Sequence, residues 1–324
     1  MPLLSVPGVV RMSEGLGTSS PVRGEPTREP RAAGATGANS APDLGARGLR
    51  RRAVALMLAS HLGPTLAVTL FATALCAGMG APATTWLAMA AAVLAGQLSV
   101  GWSNDWVDHA RDVRAGRADK PLATGRLGVG AVRAAAWSAL AVCVPLSWSL
   151  GWRSGGLHLV AVAGAWAYNL WLKRTAWSWL PFAVSFGLIP VFTALAVPGR
   201  PTPPWWAVAA GALLGVGAHL VNVVPDLEDD AATGVRGLPH RMGARASTVI
   251  AALTMLAATA CLVLVPGRGL RGAAGAGLAV AVLLVVACAV VAAARPRSRL
   301  PFALAMAVAA VDVVLLVGAA ELLV

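Results

Sequence analysis

The chain has 324 residues, 57% of them hydrophobic and only 12% charged, with a net charge of +12. Soluble domains run nearer ~45–50% apolar and ~25% charged, so this balance excludes an ordinary water-soluble globule and indicates an integral membrane protein. The positive charge is partitioned between alternate loops rather than gathered on one surface, so a bilayer, not a nucleic acid, is the expected partner.

Residues 1–50 are rich in Gly, Pro, Ser, Ala and Arg without apolar periodicity, and are expected to form a disordered tail. They lack a long apolar core followed by a small-residue cleavage site, so a cleaved signal peptide is not expected, and Met12 is an alternative start. Residues 51–324 read as one transmembrane domain. Nine spans are expected, at about 53–77, 82–103, 128–150, 156–172, 176–197, 205–225, 246–266, 272–294 and 301–323, giving an all-α integral membrane bundle. Gly- and Pro-rich connections such as "GMGAP", "GWRSGG" and "VPGRPTPP" separate them. Cys76, Cys143, Cys261 and Cys288 all fall inside apolar runs with no CxxC pair, which reads as core packing rather than disulfides or a metal cluster.

Of the 26 Lys and Arg, eight precede the first span, thirteen lie in the even-numbered loops, four in the odd-numbered ones and one, Arg133, early in the third span. The positive-inside rule therefore puts the tail and the even loops in the cytoplasm, across the cell membrane from the C-terminus. That requires an odd number of spans, which nine satisfies.

The acidic residues are more concentrated. Eight of fourteen occur in two cytoplasmic loops: Asp105, Asp108, Asp112 and Asp119, then Asp226, Glu228, Asp229 and Asp230. In "NDWVDHARD", a helical advance of about 100° per residue places Asn104, Asp105, Asp108 and Asp112 within one arc of about 100°. In "NVVPDLEDD", Asn222, Asp226, Asp229 and Asp230 form a similar stripe and Glu228 points away. Like charges at this spacing repel, so a cation is needed. Hard oxygen ligands suit Mg²⁺, which takes one or two carboxylates together with phosphate oxygens; two facing clusters suit Mg²⁺ around a diphosphate. The bland reading is two solvated acidic loops balanced by Arg111, Arg114 and Arg117. Repetition of the same Asn-then-Asp stripe on one membrane face weighs against it.

Other residues carry paired readings. Pro225 lacks an N–H and is expected to free the Val221 carbonyl and open the sixth span, with Asn222 and His219 lining the opening and a side chain or cavity water satisfying the carbonyl. His61, inside the first span, is either a substrate contact or a satisfied structural histidine, and so is His219. His109, turned about 140° from Asn104, is expected to be solvated. Of twelve tryptophans, Trp177, Trp179, Trp205 and Trp206 read as interfacial anchors, whereas Trp102 and Trp106 flank the first cluster as candidates for an aromatic cavity wall.

"NDWVDHARD" fits the NDxxDxxxD motif of the UbiA superfamily of intramembrane prenyltransferases, and "DLEDD" resembles its DxxxD motif. "YNLWLKR" is similar to its Tyr-then-Lys element, and "DKPLATGRL" to its RPLxxGR-like segment. The resemblance covers about residues 50–324. It implies nine transmembrane helices around a central cavity and Mg²⁺-dependent transfer of a prenyl group from a polyprenyl diphosphate to an acceptor, usually an electron-rich aromatic ring. Carried over by motif, Asn104, Asp105, Asp108, Asp112, Asp226 and Asp230 are the Mg²⁺ ligands, with Asn222 and Asp229 as assisting neighbours. Asn104, Tyr168, Lys173, Lys120 and Arg126 bind the diphosphate, and Asp108, Asp226 and Lys173 are the catalytic residues. Against this, Lys173 and Arg174 also read as an inside-positive anchor, and Lys120 and Arg126 as solvated surface. The family's basic residue followed by Pro at the first span is replaced here by "ASHLGPT", which leaves the acceptor and the prenyl length open. A terpene cyclase on the same scaffold and a non-enzymatic transporter are the alternative functions.

Overall fold

The computed structural model describes residues 45–323 except 198, 200–202, 268–269, 296–297 and 299, and omits the side chains of 46, 47, 228 and 229. The expected disordered tail lies outside the described residues as far as 44. Its last stretch, 46–50, is instead the start of the first helix.

Every regular element among the described residues is helical. In chain order these are α1 (Ala46–Leu58), α2 (Leu62–Gly78), α3 (Ala83–Arg114), α4 (Val129–Trp148), α5 (Trp152–Leu170), α6 (Leu180–Ala196), α7 (Trp205–Val223), α8 (Leu227–Ala232), α9 (Leu238–Met242), α10 (Ala244–Leu264), α11 (Gly272–Ala294) and α12 (Leu300–Gly318). Six of them, α3, α4, α7, α10, α11 and α12, are long and apolar enough to cross a membrane, and α1 with α2 makes a seventh crossing bent by 67°. Nine crossings require α5, which is less apolar, and α6, which has 17 residues, to span as well.

Neighbours in sequence are neighbours in space. The packing runs from α2 through α3, α4, α5, α6 and α7 to α10, α11 and α12, and α12 returns against α2, closing the bundle. Lipid tails are as apolar as leucine, so tight contact between spans depends on small residues. The α6–α7 seam shows this at Gly211 and Gly215, where an added Cβ would lie 2.6 Å from the Phe186 carbonyl oxygen and 2.3 Å from that of Phe182.

Three local departures from a regular helix set up the site. The first is the break between α1 and α2. His61 has φ 54° and ψ 56°, and is the only non-glycine residue with positive φ among the described residues. Such a conformation costs an L-residue about 1–2 kcal/mol and persists only where surroundings impose it. Here the break is seated on α3: Trp102 Nε1 donates to the Leu56 carbonyl (2.9 Å), and a Cβ at Gly101 would stand 2.3 Å from the Ser60 oxygen. The Ser60 carbonyl also accepts from Thr65 Oγ1 (2.8 Å).

The second is α3 itself, which runs eleven residues past the expected end at 103, so the whole first motif is helical. Its 32 residues measure about 48 Å, well beyond a hydrocarbon core of about 30 Å.

The third is the end of α7. α7 stops at Val223, a 3-10 turn covers Val224–Asp226 with Pro225 inside it, and α8 follows. The carbonyl that Pro225 cannot serve, that of Val221, accepts instead from the Val224 N–H. The helix thus tightens, and backbone rather than a side chain or water satisfies the group.

Candidate active site

The three departures bring their side chains around one cavity of about 330 Å³. The end of α3 contributes Asn104, Asp108, Arg111 and Asp112; the following loop adds Arg117, Asp119 and Lys120. His61 enters from the α1–α2 break, Tyr168 and Lys173 from the end of α5 and the turn after it, and His219, Asn222, Asp226, Asp230 and His240 from α7 to α9.

Basic residues cross-link the two aspartate motifs. Asp108, 3% exposed, takes Arg111 Nη2 on one oxygen (2.7 Å) and the Lys173 ammonium on the other. Arg111 Nη1 continues to Asp230 at 3.2 Å. Arg117 grips Asp119 with Nε and Nη2, both at 2.9 Å, and reaches Asp226 with Nη1 at 3.0 Å. Arg117 holds Asp119 below the usual carboxylate range, and the two carboxylates raise the already high pKa of Arg117. Burial draws the Lys173 ammonium below its ordinary value against the pull of Asp108, and burial likewise raises Asp230. His240 Nε2 lies 3.4 Å from Asp230, near enough for attraction but too poorly aimed for a hydrogen bond.

The structure divides the first stripe. Asn104 donates its amide nitrogen to Asn169 Oδ1 (3.2 Å), and Asn169 is itself fixed by Ser103 Oγ (2.8 Å) and the Val100 carbonyl (3.0 Å). Asp112 lines the cavity, is 6% exposed and has no side-chain partner among the described residues. Asp105 does not line it. At the far edge of the arc and 1% exposed, it turns toward the helix break, where one oxygen takes the Lys120 ammonium and lies 2.9 Å from His61 Nε2. Asp105 therefore leaves the set of proposed metal ligands and holds Lys120 and His61 at the cavity edge.

Other expectations change as well. Arg126 is exposed and outside the cavity, because its loop turns away through Gly125 (φ 72°). Trp102 and Trp106 do not line the cavity; Trp102 is committed to Leu56, and Trp106 meets Trp166 edge-on with centroids 6.4 Å apart. His109 is half-buried with Nδ1 lacking a partner, not solvated. The side chains of Glu228 and Asp229 lie outside the described residues. The sequence reading missed Asn169, Ser178 and His240, and treated Arg111 and Arg117 only as general counter-charge.

Asn104, Asp108, Asp112, Asp226 and Asp230 are the residues that can hold a divalent ion. Their donors are all hard oxygens, and Asp112 is a buried carboxylate with no hydrogen bond or ion pair among the described residues. No three His, Cys, Asp or Glu among the described residues stand close enough to hold an ion unaided.

Comparison with known proteins places the family and the fold. Two curated relatives are each called "Bacteriochlorophyll synthase 33 kDa chain". The one from Cereibacter sphaeroides is 33% identical over 190 residues, 54% of this chain and 61% of that protein. The one from Rhodobacter capsulatus is 32% identical over 187 residues, 53% and 60% respectively. The matches thus span about three fifths of those relatives' length. Among solved structures, an apo UbiA homolog from Aeropyrum pernix K1 superposes with TM-score 0.63 at 21% identity, covering 80% of this chain and 96% of that one. A UbiA homolog from Archaeoglobus fulgidus bound to GPP and Mg²⁺ gives 0.62 at 14% identity, covering 82% and 99%. At these identities the likeness is one of fold. The model of the UbiA prenyltransferase family matches residues 65–315, which include both aspartate motifs and the lysine between them, and the chain belongs to that family.

Proposed function

We propose that this protein transfers a prenyl group from a polyprenyl diphosphate to an aromatic acceptor, with Mg²⁺, at the membrane. The observation that carries the reading is the convergence of both aspartate motifs on one cavity, with Asp112 unpartnered and cationic side chains threaded between them. The GPP and Mg²⁺ named for the Archaeoglobus fulgidus homolog support the same reading.

Asn104, Asp108 and Asp112 from α3, with Asp226 and Asp230 from the sixth span, would hold the ion. Bound there, Mg²⁺ supplies the positive charge that steadies a departing diphosphate. The chain's own residues do the rest. Lys173 and Arg111, already fixed beside Asp108, offer donors aimed at where negative charge gathers as the allylic C–O bond breaks. Lys120, anchored by Asp105, lines the same cavity and offers another. Tyr168 is the one Phe, Tyr or Trp in the cavity lining, and its ring face suits the electron-poor allylic fragment.

Purified protein incubated with geranyl diphosphate, with and without hydroxylated aromatic acceptors, tests the assignment. Acceptor-dependent prenylated product is expected. A cyclic hydrocarbon formed without acceptor would favour a terpene cyclase, and no diphosphate release would leave transport as the better reading. Product should vanish in excess chelator and return with Mg²⁺; full turnover after verified metal removal would defeat the metal assignment.

On this reading the cavity mouth faces the cytoplasm, since the loops at that end belong to the set holding thirteen Lys and Arg against four opposite. Ala118 and Arg236 are exposed in the two motif loops, so Ala118→Cys and Arg236→Cys should react with an impermeant thiol reagent only from the cytoplasmic side. Labelling from opposite sides would refute the topology.

A further inference from the structure

His219 is fully buried on α7 and lines the cavity, yet only one of its ring nitrogens has a partner. Nε2 lies 3.0 Å from Ser178 Oγ, and that same oxygen accepts the Leu238 N–H at 3.0 Å. These two contacts fix the tautomer. With a lone pair committed to Leu238, the Ser178 hydroxyl has its proton to give, and His219 Nε2 is the acceptor beside it. In the opposite tautomer Nε2–H would point at Oγ, leaving both the buried hydroxyl proton and the Nδ1 lone pair unmatched. The tautomer with its proton on Nδ1 leaves one group unmatched instead of two, and unmatched buried groups are costly. The imidazole is therefore neutral with its proton on Nδ1, and no protein acceptor among the described residues meets that N–H.

Position identifies the kind of partner. His219 precedes Asp226 by seven residues, about two helical turns or about 10 Å along α7, on the membrane side of the carboxylates. The rings of Tyr168 and Phe182 stand beside it, with centroids 5.7 and 4.9 Å away. A single donor set among ring faces suits a flat molecule bearing an acceptor oxygen. It lies deeper than the carboxylate mouth, where the diphosphate is assigned.

We propose that His219 Nδ1–H is a substrate-binding donor that holds a hydroxyl, carbonyl or carboxylate oxygen of the aromatic acceptor, with Ser178 setting its tautomer. This rests on the prenyl-transfer reading for the identity of the reaction, but the donor itself is tested separately. The same N–H has one other possible oxygen to meet, that of the diphosphate, and the experiment has an arm for each.

In protein labelled with ¹⁵N-histidine, the resonance lost in His219→Phe should report the Nδ1–H tautomer at neutral pH. An Nε2–H tautomer overturns the proposal. With geranyl diphosphate and Mg²⁺ present, phenol or benzoate should shift that resonance and toluene should not. Equal response to all three, or to none, also overturns it. In turnover assays His219→Phe should raise the acceptor KM about tenfold, the loss of one hydrogen bond, while the KM for geranyl diphosphate changes less than about twofold. His219→Gln, which restores a donor, should recover most of the loss. A defect confined to geranyl diphosphate assigns the donor to the diphosphate and sinks the proposal, as does a glutamine variant no better than phenylalanine. If the wild type turns over no acceptor but the resonance still shifts with phenol or benzoate, prenyl transfer fails while the binding donor stands.

Discussion

Asp108→Asn lowers turnover of an allylic diphosphate at least about a hundredfold, the equivalent of about 3 kcal/mol of lost charge stabilisation. Asp108 is the residue on which the site's charges meet: buried, it anchors Lys173 on one oxygen and Arg111 on the other, and Arg111 carries the link to Asp230. Asparagine keeps the shape but removes the charge, so two cations lose their common partner in a medium that screens them poorly. Breaking such a buried pair costs about 3–5 kcal/mol of stability in its own right. The chemical defect must therefore be separated from misfolding. A monodisperse, folded variant with turnover within about threefold of wild type would contradict the assignment. Rescue by raised Mg²⁺ alone would show that the missing charge acts only through metal affinity.

Gly101→Ala should disable the site without touching any residue of the cavity lining. Its Cβ would be 2.3, 2.8 and 3.2 Å from the oxygen, carbonyl carbon and Cα of Ser60, all backbone atoms with no rotamer to change. The α1–α2 break would have to withdraw from α3, taking His61 away from Asp105. Overpacking of this kind costs about 1–3 kcal/mol. The expected result is a lower melting temperature in one defined detergent, together with loss of activity. Gly130, on the exposed face of α4, has nothing within 4 Å of an added Cβ. Gly130→Ala should therefore stabilise by up to about 1 kcal/mol through helix propensity alone. Indistinguishable melting of the two variants would rule out the close contact.

Much of this was legible in the sequence because periodicity and charge are local. The apolar runs located the long helices to within about five residues, except for the start of α1 and the end of α3. The spacing of Asn104, Asp108 and Asp112 put them on one helix face. Pro225 announced the interruption at the end of the sixth span, though not that the Val224 N–H would close it. What could not be read depends on partners distant in sequence. Nothing near His61 announces a left-handed residue, since the conformation is imposed by α3 against Ser60. Asp105 and Asp108 fall within one arc of the helix, and the partners that separate them, Lys120 and Lys173, come from later in the chain. Arg111 and Arg117 looked like loop charge because the aspartates they reach, Asp230 and Asp226, are more than a hundred residues away. His240 sits in a short connection without periodicity, and Ser178 gains its role only when Leu238 and His219 arrive beside it.

The length of α3 ties the site to the thickness of the surrounding lipid. The helix exceeds the hydrocarbon core by about 18 Å and carries Asn104, Asp108 and Asp112 on that surplus, so a single rigid rod sets their height. On the prenyl-transfer reading, that surplus is where the head group of a membrane-dissolved diphosphate would be met. A thicker bilayer draws the apolar part of α3 upright and a thinner one tilts it, each at a small cost per ångström of mismatch. Turnover in bilayers of different acyl-chain length should therefore differ, with no change in the protein itself.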